Sequence, residues 1–138
     1  MFQDAAGNVA AYTHGFVQYF DLSTELHLPV ADWIFSSEVG EHIPNSLERQ
    51  IFDNLHRHNR CGMVLSWAVL GQPGFHHINN HSNDYIIAAL AEMGYRYDRT
   101  AAEVIRSKVP DDGNRWLKNS LMLFERRPAP AGCAANES

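Results

Sequence analysis

The chain has 138 residues, 45% of them hydrophobic and 20% charged, which supplies one packed domain and excludes disorder over the whole length. Its net charge of -5 argues against a broad phosphate-binding surface, because such surfaces gain affinity from clustered Lys and Arg. A local patch around Arg57, Arg60 and Arg96 stays open, no apolar run approaches the length of a membrane span, and the N-terminus carries no signal-peptide pattern.

In chain order, Asp4-Ala-Ala-Gly7 reads as a simple turn, and Asp21 as a cap of the element that follows it. The apolar run Trp33–Phe35 is a buried strand that opens into Glu38-x-x-Glu41-His42. A helix start follows, with Asn45 as cap and Glu48 as capping-box partner, and Leu47, Ile51 and Leu55 form one apolar stripe. Met63–Val69 is a second buried strand, closed by Gly71-Gln-Pro-Gly74 and a loop bearing His76, His77 and His81. Ser82 caps a helix that runs to Met93, with Gly94 beyond its end, and Tyr95–Tyr97 is a short strand. Thr100-x-x-Glu103 opens a further helix to about Lys108, Pro110–Gly113 is a turn, and Arg115–Lys118 a helical turn. Leu121–Phe124 is the last strand, paired hairpin-fashion, and residues 128–138 form a flexible tail. Two cysteines, Cys61 and Cys133, make no disulfide framework, so Cys61 is expected to be buried and inert in a reducing, cytoplasmic setting.

The order of strand, acidic loop, helix, strand and Gly-rich loop defines a βαβ unit and hence an α/β sheet. Ligands of open α/β sheets bind outside the C-terminal ends of the strands. Glu38, Glu41 and His42 stand at that edge. Two carboxylates and an imidazole there hold a divalent cation or exchange protons with a substrate, or more simply order the loop and cap the next helix. Trp33, Trp67 and Trp116 read as core or pocket-wall residues. Ser66 has neither a neighbouring base nor nucleophile-elbow glycines, so covalent serine catalysis is not expected.

From Asp4 to Arg126 the chain resembles the second half of a class I S-adenosylmethionine-dependent methyltransferase. The resemblance rests on Glu38-Val-x-Glu41-His42-Ile43-Pro44 after a strand, then Gly62-Met-Val-Leu-Ser-Trp-Ala68 and Gly71-Gln-x-Gly74-x-x-His77. It implies a Rossmann-like sheet with helices on both faces, occupying residues 1–127. It also implies that Asp4 ends one strand and meets the cofactor ribose, that Val17–Phe20 is a strand whose terminal Asp21 meets the adenine, and that Glu38 meets the methionine end. The family's first strand and Gly-rich loop have no counterpart here. The resemblance therefore implies a piece of a longer domain, or a chain whose missing strand is supplied by a partner or by a second copy.

A metal-dependent subset of that family, which includes small-RNA terminal 2′-O-methyltransferases and ubiquinone-pathway O-methyltransferases, shares Glu-x-x-Glu-His. The resemblance implies Mg²⁺ or Mn²⁺ held by Glu38, Glu41, His42 and His77, with Glu41 and His42 assisting deprotonation of an acceptor hydroxyl. A small-molecule acceptor is the expectation, with a terminal RNA ribose as the other candidate and no membrane involvement. Two further functional classes stay open: a noncatalytic partner that pairs through an exposed sheet edge, and a metal-binding α/β module that never meets the cofactor.

Overall fold

The computed structural model describes residues 2–4, 8–111 and 114–133. Two sheets organise it. Strands β1 (Phe2–Asp4) and β2 (Val17–Tyr19) pair in parallel, with helix α1 (Val9–Tyr12) between them. The larger sheet has the order β3-β4-β6-β5, formed by β3 (Ala31–Ser36), β4 (Asn59–Leu65), β5 (Tyr95–Tyr97) and β6 (Met122–Arg126). Strands β3 and β4 run parallel, joined by helix α2 (Glu48–His58), whereas β6 lies antiparallel to both β4 and β5. Helices α3 (Asn83–Glu92), α4 (Arg99–Ser107) and α5 (Leu117–Ser120) complete the described elements.

The core follows from strand alternation. Cross-strand register aligns Met63 with Phe124 and Leu65 with Met122, and all of them are buried. Against these side chains pack Ile51, Phe52 and Leu55 of α2 together with Ile86 and Leu90 of α3. Burying a side chain of this size contributes about 1.5–3 kcal/mol, so this cluster dominates stability. No described helix is long and apolar enough to cross a membrane.

Several expectations shift in detail. Strand β4 begins at Asn59 and leaves the ladder after Leu65, so Ser66–Val69 continue as a loop, though the Ser66 amide still donates to the Ser36 carbonyl at 2.9 Å. No capping box forms at α2. Asn45 lies in a preceding 3-10 turn and donates its side-chain amide to Asn79 Oδ1, and the Glu48 carboxylate is spent on residues of the 79–85 segment. Ser82 does cap α3, accepting from the Tyr85 amide, whereas α4 is capped by Asp98, two residues ahead of the Thr100 pattern. Strands β5 and β6 are neighbours but no hairpin, since α4 and α5 lie between them.

The cysteine expectation is overturned. Cys61 and Cys133 form a disulfide across 72 residues. Arg60 reinforces it by donating to the Ala131 carbonyl at 3.0 Å while pairing with Asp32 at 2.7 Å. The expected flexible tail is thus anchored to β4 as far as Cys133, and residues 134–138 lie outside the described residues.

Candidate functional site

The site is built on the loops that leave the C-terminal ends of β3 and β4. Beyond Ser36 the chain turns sharply: Glu38 takes a left-handed φ of 53°, and a 3-10 turn spans Gly40–His42. Gly40 lies flat on the Trp67 ring, where a Cβ would come within 2.1 Å of ring carbons, so only glycine fits. That close approach carries Glu41 fully inside, at 0% exposure.

Among the described residues, Glu41 is a buried carboxylate left without partners. Neither carboxylate oxygen has a hydrogen-bond partner, although the residue is buried. Burial pushes its pKa up from 4.5 to about 7, against the pull of nearby backbone amides, and the negative charge of Glu38 adds to the push. A buried carboxylate without a partner is costly unless a proton or a cation accompanies it.

Two imidazoles stand beside it. The His42 Nδ1 lies 3.2 Å from the His76 carbonyl, and the His77 Nδ1 lies 3.3 Å from the Gln72 carbonyl. When each Nδ1–H donates to its carbonyl, each Nε2 is left as an acceptor, the arrangement that second-shell partners give to metal-binding histidines. The two rings meet edge to face at 5.0 Å, and ligand atoms of Glu41, His42 and His77 all fall within 4.8 Å of one another. The loop that carries His77 is pinned to the Glu41 turn, because the Ile78 and Asn79 amides both donate to the Glu41 carbonyl, at 2.9 and 3.0 Å.

Glu38 lies near enough to Glu41 to raise its pKa, but its own oxygens are held by other partners. Its Oε1 accepts from Ser66 Oγ at 2.9 Å and sits 3.5 Å from Ser120 Oγ, while its Oε2 accepts from Gln72 Nε2 at 2.7 Å. The left-handed turn at Glu38 sends its carboxylate into this cradle and leaves Glu41 to face the histidines. His81 is also separate, bonded to Glu48 at 2.6 Å and stacked on Tyr85.

Alongside lies a cleft of about 870 Å³, walled mainly by apolar side chains of β3, of α2 and of the 22–30 segment, with Ser36, Ser37, Glu38 and His42 at one end. Asn54 and His58, which the sequence reading passed over, hold the 22–30 wall in place. Asn54 accepts from the Leu26 amide at 3.0 Å and donates to the carbonyls of Leu22 and Thr24, and His58 Nε2 accepts from the Leu28 amide at 3.0 Å. Their signal was present in the sequence: two polar residues four apart, each one helical turn from the apolar stripe of Ile51 and Leu55.

Asp21 does not line this cleft. Its carboxylate accepts from the Ser23 hydroxyl and amide, which hold its pKa below the usual value. Asp4 ends β1 opposite Tyr19, and its side chain lies outside the described residues.

The fold resembles those of several solved structures. Magnesium protoporphyrin IX methyltransferase from Synechocystis PCC 6803 with bound SAH matches at 15% identity and a TM-score of 0.57, over 90% of this chain and 62% of that one. The same enzyme with bound SAM matches at 14% identity and a TM-score of 0.56, over 90% of this chain and 57% of that one. A pericyclic reaction enzyme matches at 10% identity and a TM-score of 0.56, over 91% of this chain and 35% of that one. No protein-family model matches the chain. No curated protein matches it either. At these identities the likeness establishes the fold alone, a Rossmann-like mixed α/β sheet, and the chain spans about three fifths of the methyltransferase chains it matches.

Proposed function

We propose that this chain forms the acceptor side of an S-adenosylmethionine-dependent methyltransferase domain, transferring methyl to oxygen with a divalent cation held by Glu41, His42 and His77. The observation that carries the reading is the buried, unpartnered Glu41 carboxylate beside two imidazoles anchored through Nδ1, at the strand-end edge where α/β sheets bind ligands. One carboxylate and two imidazoles suit Mn²⁺ or Zn²⁺ better than Mg²⁺, which prefers an all-oxygen shell. The cleft, at about 870 Å³, falls in the size range of small-molecule sites and offers apolar walls with a polar end.

When bound, the sulfonium cofactor supplies an activated methyl group, and the cation acidifies an acceptor hydroxyl. The protein's contribution is position and exclusion of water. Ser66, Gln72 and Ser120 fix Glu38 at the polar end of the cleft, where it would hold the methionine portion of the cofactor. Asp4, ending β1, is the candidate for the ribose hydroxyls and Asp21 for the adenine, the latter only if its bond to Ser23 is released. His42 lines the cleft and, with Nδ1 held at the His76 carbonyl and Nε2 on the cation, would assist deprotonation of the acceptor through the cation, as would Glu41. The apolar walls and the net charge of -5 favour a small-molecule acceptor over a terminal RNA ribose.

Calorimetric titration with S-adenosylhomocysteine, with and without Mn²⁺, tests this. Saturable binding of both, with the Mn²⁺ heat lost in Glu41→Ala, is the expected outcome. Mn²⁺ binding without cofactor binding would instead define a metal-binding α/β module, and neither binding would leave the noncatalytic reading.

A further inference from the structure

The loop that carries His77 has no apolar anchor of its own. Between Ala68 and Ile86 only Asn79 is buried, at 4% exposure, while Leu70, Phe75 and Ile78 face solvent. Hydrophobic burial therefore cannot place this loop, and hydrogen bonds must. Asn79 makes them with all four of its polar groups. Its amide N–H donates to the Glu41 carbonyl at 3.0 Å, and its carbonyl accepts from Trp67 Nε1 at 2.6 Å. Its Oδ1 accepts from Asn45 Nδ2 at 3.2 Å, and its Nδ2 donates to Glu48 Oε2 at 2.9 Å. Glu48, 6% exposed on α2, is held in turn by His81 and Tyr85, each at 2.6 Å. Its carboxylate is a fixed point on the helix, and a single residue, Asn79, connects it to the Glu41 turn.

We propose that the Glu48–Asn79 pair sets the geometry of the cation site, a role that rests on the cation reading above. The pair holds His77, two residues before Asn79, at its distance from Glu41. Asn79 bonds the main chain of Glu41 itself, so a shift of Asn79 moves one ligand relative to another. Glu48 serves this tie although α2 has no side-chain cap of its own. A polar network holds its members only as well as each group is paired. Removing a partner that orients a metal-binding histidine lowers cation affinity about 10–100-fold. Glu48 and Asn79 act one bond further out, which puts the expected loss at the lower end of that range.

Mn²⁺ titration of the whole chain, followed by electron paramagnetic resonance, tests the proposal. In Asn79→Asp a carboxylate faces the Glu48 carboxylate in place of a donor. That variant is expected to bind Mn²⁺ about tenfold more weakly. Its electron spin echo modulation is expected to lose one of the two bound imidazoles, His77, and keep the other, His42. Adding Glu48→Gln exchanges donor and acceptor across the pair and is expected to restore the affinity and the second imidazole. Asn79→Ala carries the same readouts should Asn79→Asp not fold. Tyr85→Phe removes a bond to the same carboxylate without touching Asn79, and is expected to lower the thermal midpoint while keeping Mn²⁺ affinity. Unchanged affinity in folded Asn79→Asp or Asn79→Ala overturns the proposal. So does a double variant no tighter than Asn79→Asp, or an equal loss in Tyr85→Phe. A wild type that binds no Mn²⁺ overturns the cation reading itself, and this role falls with it.

Discussion

Replacing Glu41 by Gln keeps the shape of the buried side chain and removes its charge, and the consequence depends on pH in a defined direction. In the folded, metal-free protein the carboxyl titrates at about 7, against an ordinary value of 4.5. The folded state therefore holds this proton more tightly than the unfolded chain does. Its stability is unaffected below about 4.5, falls as pH rises between 4.5 and 7, and carries the full cost above 7. At about 1.4 kcal/mol per pH unit the ceiling is about 3 kcal/mol. Solvent in the adjoining cleft screens part of it, so roughly 1–2 kcal/mol is the expected loss. Urea unfolding in EDTA at pH 5 and pH 8.5 reads this directly. The wild type is expected to lose that much between the two conditions and Glu41→Gln to lose correspondingly less. Any constant cost of the buried amide cancels in the comparison. Parallel pH dependence of the two proteins would refute the reasoning, because Glu41 would then not be buried as a charge without a partner.

Other consequences follow from the same geometry. Reducing the Cys61–Cys133 bond, or Cys133→Ser, opens a 72-residue loop and is expected to cost about 4 kcal/mol, seen as a lower thermal midpoint with reductant; an unchanged midpoint would contradict the bond. Gly40→Ala drives a methyl into the Trp67 ring and is expected to destabilise by about 1–3 kcal/mol while shifting Trp67 fluorescence. Asn54→Ala leaves the Leu26 amide and the Leu22 and Thr24 carbonyls without their partner; it is expected to cost about 1–3 kcal/mol and to speed hydrogen exchange at Leu26, and slow exchange there would refute the anchoring role.

What was legible in the sequence was local. The Trp33–Phe35 run, the Ser82 cap and the Ile86–Leu90 stripe each sit within one element, and the structure forms those elements there, but the strand expected to be buried leaves Trp33 44% and Phe35 69% exposed. The turn after β3 was legible as a chemical site because its acids and histidine lie within five residues of one another. Their division of labour was not. It depends on a left-handed Glu38 and on Gly40 meeting Trp67, a contact across 27 residues. Glu48 shows the same limit: its spacing from Asn45 fits a capping box, yet Asn79, His81 and Tyr85 outcompete the local amide for its carboxylate. The cysteine pair left no pattern at all, since two lone cysteines 72 residues apart look alike whether or not the fold brings them together. His77 was picked out by its loop, and its distance to Glu41 and His42 needed the structure.

The central claim is that Glu41, His42 and His77 form a cation site, and Mn²⁺ titration followed by electron paramagnetic resonance tests it most directly. The account predicts loss of the free-ion signal up to one equivalent in the intact chain, abolished by Glu41→Gln and by His77→Ala but retained in His81→Ala. Retention of the full free-ion signal at every addition, or binding indifferent to Glu41 and His77, would contradict it.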